Sequence, residues 1–149
     1  MFLKTVKKKN KMKKGFTLVE IMIIISVVLI LTALAIPNIL RSQITARESM
    51  ALTNVKRISE SCQVYNTREE VYPAALTDLS GDVPPYLSTT LTSGTKDGYN
   101  FVYTQTADGF TLYANVIAAG VGRYFYTDET TVIRQHVNAP AGPGDPIIN

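Results

Sequence analysis

The sequence predicts an α+β protein in which one long N-terminal α-helix packs on a small C-terminal antiparallel β-sheet. Residues 16–40 are mostly apolar and carry no charge apart from Glu20, and residues 41–66 carry an apolar stripe at helical spacing. From residue 67 onward, short alternating segments are separated by turn formers. We therefore expect a helix that is apolar on all sides in its first half and amphipathic in its second half, where it needs a sheet to cover it.

The basic charge of the chain is concentrated in residues 1–15, which we interpret as a leader peptide that is removed. The lysines before Gly15 number seven of the 15 basic residues in the whole chain. A mature chain beginning at Phe16 would therefore carry eight basic against 12 acidic residues. This acidic balance argues against binding to a specific nucleic acid.

Residues 16–40 predict a membrane span. A helix of these 25 residues is longer than the thickness of the hydrocarbon core of a bilayer, which is ~30 Å. The lysines before the span predict that the N-terminus is cytoplasmic and that the chain after Leu40 is exported. The run is longer than the apolar region of a secretory signal peptide, and no small-residue cleavage site follows it. The residue without a side chain, Gly15, lies before the apolar run, where cleavage would remove the lysines and keep the helix.

The stretch KKGFTLVEIM, residues 13–22, resembles the signature of type IV pilins and of the pseudopilins of type II secretion systems. The resemblance implies that a prepilin peptidase cuts between Gly15 and Phe16 and that Phe16 is then N-methylated. It also assigns assembly roles to Glu20 and Pro37, and implies a pilin-like lollipop fold. The implied partners are further copies in a helical homopolymer, the peptidase, an inner-membrane assembly platform, and minor pilins or pseudopilins.

A carboxylate inside a membrane helix is costly, about 3 kcal/mol on insertion scales, so Glu20 needs an explanation. Leader removal would give Phe16 a charged amine, and the amine of a neighbouring subunit could pair with Glu20. A subunit out of register would leave both charges unpaired. We therefore interpret Glu20 as a device that sets the register of assembly, and Pro37 as a point of local helix unwinding in the filament. An alternative for Glu20 is that it lies near the headgroups and reaches water there.

The helix is predicted to continue to about Asn66, with residues 41–66 as its exported half. Its apolar stripe consists of Ile44, Ala51, Val55, Ile58, Cys62 and Tyr65. Residues 67–138 are predicted to hold a loop with one short helical turn, a long irregular connection, and four strands: GYNFVYT, GFTLYANVI, RYFYT and TVIR. Residues 139–149, rich in proline and glycine, predict an irregular tail.

No catalytic motif is present, so we expect a protein that is not an enzyme. His136 is the only histidine, and Cys62, the only cysteine, excludes an internal disulfide and falls on the apolar stripe. By resemblance this favours a disulfide-free pilin or a major pseudopilin. Some pseudopilins bind calcium, for which the weak candidates are Asp97, Asp108, Asp128, Glu129 and Asp145. Their spacing matches no calcium-loop motif, so no cofactor is expected.

Two functions stay open on the sequence alone. The first is a structural subunit, anchored in the bacterial inner membrane by a single span as a precursor and then assembled into a periplasmic or cell-surface filament. The second is a monomeric, membrane-anchored extracytoplasmic binding domain, which would have no use for Gly15 at the boundary or for the charge of Glu20. Within the first, an adhesion or motility pilus, a DNA-uptake filament and a secretion pseudopilus remain alternatives.

Overall fold

The computed structural model describes residues 15–117 and 122–148. The lysine-rich leader, apart from Gly15, therefore lies outside the described residues. Helix α1 spans Leu18–Glu69, and the chain divides into two compact units, Met1–Ile39 and Leu40–Asn149. The predicted α+β architecture is confirmed, since the second unit contains the later half of α1 and a five-stranded antiparallel sheet.

In the first unit, every described residue is exposed, and α1 is long and apolar enough to cross a membrane. Two hydroxyl side chains of this segment form hydrogen bonds within the helix. Ser26 Oγ donates to the Met22 carbonyl at 2.7 Å, and Thr32 Oγ1 donates to the Val28 carbonyl at 2.8 Å. This internal pairing suits a segment in lipid, where no water is available to pair with polar groups.

The second unit is built on a sheet with strand order β1-β2-β3-β4-β5, in which all neighbouring strands are antiparallel. The strands are β1 (Thr95–Lys96), β2 (Tyr99–Gln105), β3 (Phe110–Val116), β4 (Arg123–Asp128) and β5 (Arg134–Val137). A 3-10 helix (Leu76–Ser80) and a single-turn helix α2 (Thr89–Thr92) precede them. Each strand follows its predecessor directly, so the sheet is a simple meander.

The core of the second unit lies between α1 and one face of the sheet. Four residues of the predicted stripe are fully buried: Ala51, Val55, Ile58 and Cys62. On β2 the predicted alternation is confirmed, with Tyr99 and Phe101 buried while Asn100 and Val102 are exposed. Strand β3 adds Phe110, Leu112 and Ala114, all with no exposed surface. The face that sequence periodicity assigned to the core is the face that is buried.

Two local predictions need correction. The predicted strand at residues 131–134 begins only at Arg134, because the Thr131 N–H donates to the Asp128 carbonyl at 2.9 Å in a turn. The connection expected to be irregular contains α2 and β1. Strand β1 forms because Asp97 (φ 54°) and Gly98 (φ 84°) make a tight hairpin turn that pairs Lys96 with Tyr99.

The proline-rich tail keeps an irregular backbone, but it is attached to the sheet edge. The Ile148 N–H donates to the Ile133 carbonyl at 2.9 Å, and the Gln135 N–H donates to the Pro146 carbonyl at 3.0 Å. Ala141 is 2% exposed. The tail therefore takes backbone hydrogen bonds that would otherwise leave the edge of β5 unpaired.

Candidate functional site

Residues 15–17 have no regular secondary structure and are accessible. Residues 15–17 precede the first helical turn, and all three are exposed. A Cβ built on Gly15 would meet no atom within 4 Å among the described residues, so a larger side chain fits the chain itself. Phe16 has 76% of its surface exposed. No contact among the described residues therefore requires glycine at position 15.

Thr17 and Glu20 form a reciprocal cap at the start of α1. The Glu20 N–H donates to Thr17 Oγ1 at 3.2 Å, and the Thr17 N–H donates to Glu20 Oε2 at 3.5 Å. This is the capping-box arrangement, in which two backbone donors that lack helical partners are satisfied. A carboxylate in the first turn also interacts favourably with the helix dipole. Sequence reasoning missed this role, although Thr-x-x-Glu before an apolar run is its known signature.

Pro37 lies inside α1, and the helix is continuous through it in the single chain. Proline has no N–H, so the carbonyl four residues earlier, at Ala33, lacks its usual helical donor. One residue on, the side-chain amide of Asn38 donates to the Leu34 carbonyl at 3.3 Å. The unwinding expected in a filament is therefore not a property of this isolated helix, and it stays a prediction for the assembled state.

A polar link that the sequence did not indicate joins α1 to β4. Glu48 Oε1 accepts a hydrogen bond from the Arg123 N–H at 3.0 Å, and Glu48 Oε2 lies 3.7 Å from Arg123 Nε. The Arg123 guanidinium also donates to Gln135 Oε1 at 3.0 Å on β5. This network fixes the helix against the sheet, and only the tertiary structure reveals it because 75 residues separate the first pair.

Cys62 is packed, as its place on the stripe predicted. It has no exposed surface, and burial raises the pKa of its thiol to about 12, so the reactive thiolate is strongly disfavoured.

His136 has a partner that sequence reasoning missed. Its Nδ1 lies 3.0 Å from Asp145 Oδ1, while Asp145 Oδ2 accepts the Gly142 N–H at 2.7 Å. These contacts, led by the one with His136, lower the pKa of Asp145.

Three of the five acidic residues considered for calcium accept hydrogen bonds from other parts of the protein. Asp97 accepts a hydrogen bond from the Asn54 amide at 3.2 Å, and Asp128 accepts one from the Thr130 N–H at 3.0 Å. Asp145 is engaged with His136. Within residues 15–117 and 122–148, no three Asp, Glu, His or Cys side chains converge in a way that could hold a metal ion. The five candidates, which also include Asp108 and Glu129, are thus not brought together in this part of the chain.

Comparison with known proteins decides the family. Residues 10–36 match the family described as the prokaryotic N-terminal methylation motif. A stretch of 90 residues, 58% of this chain, is 30% identical to the type IV wide pilus major component PilA4 of Thermus thermophilus and covers 69% of that protein. The chain belongs to the type IV pilin and type II secretion pseudopilin family.

Two further relatives represent both branches of the pilin and pseudopilin family. The chain is 35% identical over 63 residues to the type IV major pilin protein PilA of Myxococcus xanthus, covering 42% of this chain and 29% of that one. It is 30% identical over 66 residues to the type II secretion system core protein G of Vibrio cholerae, covering 44% and 45% of the two chains. The chain thus spans less than half the length of these two relatives. No solved structure matches it.

Proposed function

We propose that this protein is a structural filament subunit whose leader is cut between Gly15 and Phe16, whose Phe16 is N-methylated, and which polymerises through the first half of α1. One observation carries the proposal: the described residues 16–40 form an apolar segment that is exposed throughout and holds a single charge, Glu20. A membrane can cover this surface before assembly, and the helices of other subunits can cover it afterwards. A helix that only anchored a monomeric domain in the membrane would not need the charge of Glu20.

Processing is supported by the accessibility of the cleavage segment. A peptidase must bind the backbone on both sides of the scissile bond, and an exposed segment without regular secondary structure, such as residues 15–17, is open to such binding. The Gly15 position has space in the chain itself, so we assign its glycine to the peptidase, which would approach closely at a residue without a side chain.

The partners follow from this proposal. The precursor sits in the inner membrane with its N-terminus cytoplasmic, the prepilin peptidase processes it, and an assembly platform with minor pilins or pseudopilins inserts it into the filament. The role is structural, not catalytic. The proposal covers a pilus, a DNA-uptake filament and a secretion pseudopilus, since the relatives include both pilins and a secretion core protein.

The test compares Gly15→Val with Gly144→Val, because a Cβ at either glycine meets no described atom within 4 Å. Each variant is produced with and without a prepilin peptidase, and the N-terminus is read by mass spectrometry. We expect the Gly144 variant to begin at N-methylated Phe16 and the Gly15 variant to keep its leader. A Gly15 variant that is cut normally contradicts the proposed processing. A processed chain that never appears in sheared filaments favours the monomeric anchored domain.

A further inference from the structure

A groove in the second unit lies between α1 and the β2–β3 end of the sheet. It has a volume of about 490 Å³, and its principal lining residues are Leu40, Ile44 and Arg47 from α1 with Tyr99, Val116 and Ile117 from the sheet. The Ile117 N–H donates to the Gly98 carbonyl at 3.0 Å, which fixes one wall. Leu40 and Ile117 remain 54% and 55% exposed. The groove is thus an apolar surface that the described chain leaves partly uncovered.

Arg47 is the charged group of this groove. Its stem lies along the hairpin turn, since a Cβ built on Gly98 would be 3.7 Å from both Arg47 Cδ and Nη1. Within residues 15–117 and 122–148, the guanidinium makes no ion pair. The neighbouring acids have other partners: Asp97 accepts a hydrogen bond from Asn54, and Glu48 forms an ion pair with Arg123. An apolar groove with one available guanidinium suits a ligand that has an aliphatic body and an anionic head.

The position of the groove along the sequence indicates where such a ligand is found. Leu40 ends the apolar run, and the seven residues to Arg47 rise about 10 Å along a helix. The headgroup layer on each side of the hydrocarbon core is about 5–8 Å thick. Helical side chains tilt toward the N-terminus, so a side chain as long as that of Arg47 can reach back toward this layer. Lipid phosphate is the anion that this location supplies.

We propose that the groove binds one anionic phospholipid of the exported leaflet, with its phosphate on Arg47 and part of an acyl chain against Leu40, Ile44 and Ile117. The inference rests on the membrane-anchored precursor of the proposed function. Bound lipid would cover the apolar wall of the groove while the subunit is in the membrane, before neighbouring subunits pack against it.

The test uses the full chain in detergent micelles with palmitoyl-oleoyl phosphatidylglycerol or phosphatidylcholine, and counts retained lipid by native mass spectrometry. We expect phosphatidylglycerol to be retained in preference to phosphatidylcholine. Arg47→Gln should weaken phosphatidylglycerol binding by about five-fold, the effect of one basic residue at an anionic surface. Arg57→Gln is the matched control, since it removes the same charge from an exposed position on the same helix and should leave binding within two-fold.

The apolar wall is tested with Ile117→Ser, which keeps the backbone hydrogen bond and should reduce retention of both lipids. Equal retention of the two lipids by the unaltered chain, or equal effects of Arg47→Gln and Arg57→Gln, would overturn the proposal. Groove residues that become protected only on polymerisation, without lipid, would assign the groove to a second copy of the chain. Electron microscopy of sheared filaments separates the two proposals. If the chain forms normal filaments but retains the two lipids equally, the lipid site is refuted and the role as a filament subunit is not.

Discussion

The charge of Glu20 and its capping hydrogen bond can be separated by two substitutions. Glu20→Gln removes the charge and keeps a side-chain oxygen that accepts from the Thr17 N–H, because glutamine also serves in capping boxes. Thr17→Ala keeps the charge and removes the hydroxyl that accepts from the Glu20 N–H. If Glu20 acts by pairing with the amine of a neighbouring Phe16, we expect the first variant to be defective in assembly and the second to be only mildly affected.

The distances in the cap set the expected magnitudes. The Thr17 N to Glu20 Oε2 distance of 3.5 Å is long for a hydrogen bond, and the reciprocal contact is 3.2 Å. Losing an N-cap hydroxyl costs about 0.5–2 kcal/mol. Removing one partner of a buried ion pair costs about 3–5 kcal/mol. At 1.4 kcal/mol per factor of ten, the loss of charge should lower the equilibrium constant for subunit addition by roughly 100-fold or more, against roughly 2- to 30-fold for the cap.

The assay is made in cells that lack the unaltered subunit. N-terminal mass spectrometry first establishes that both variants are cut and methylated, and electron microscopy with immunoblotting of sheared material then measures filament mass. Filaments of normal amount and length from Glu20→Gln would refute an intersubunit charge pair. A defect in Thr17→Ala as severe as that in Glu20→Gln would instead show that the helix start, not the charge, limits assembly.

Three further predictions concern the second unit. Each is measured by thermal or urea unfolding of a fragment containing residues 41–149. We expect this fragment to be a soluble monomer that unfolds in one cooperative transition. Leu112→Ala should lower the free energy of unfolding by about 2–5 kcal/mol, because Leu112 is fully buried; a loss below 1 kcal/mol would contradict this packing. Gly98→Ala should cost about 1–2 kcal/mol, since Gly98 has φ 84°, and an unchanged midpoint would argue against the hairpin turn. The lowered pKa of Asp145 stabilises the fold above the ordinary value of 3.8, and this contribution is lost as the pH falls through the lower pKa of the folded state. Asp145→Asn should therefore weaken the fall in stability on acidification, and an unchanged pH profile would mean that the contact with His136 does not matter.

The elements that sequence reasoning predicted well are those in which local pattern and burial agree. The stripe through Ala51, Val55 and Ile58 follows helical periodicity, and the first four residues of β2 alternate between buried and exposed, so each pattern identifies its buried face without knowledge of the partner. Strand β5 was misplaced because the apolar residues Val132 and Ile133 resemble a strand. The turn at Asp128 and the pairing of Ile133 with the tail occupy that stretch instead. The link from Glu48 to Arg123 could not be predicted, since it depends on how distant segments meet.

The cap on Glu20 bears on why a carboxylate is tolerated there before any partner subunit exists. In the precursor, the nitrogen of Phe16 belongs to a peptide bond and carries no charge, so an ion pair with it cannot form. The carboxylate is instead placed against the first turn of α1, where it accepts the Thr17 N–H and faces the positive end of the helix dipole. If cleavage converts the Phe16 nitrogen to an ammonium, the same carboxylate gains a much stronger class of partner. The weak cap then keeps Glu20 at the helix start without competing with the intersubunit pair, because a 3.5 Å contact is easily given up for a charge-assisted one.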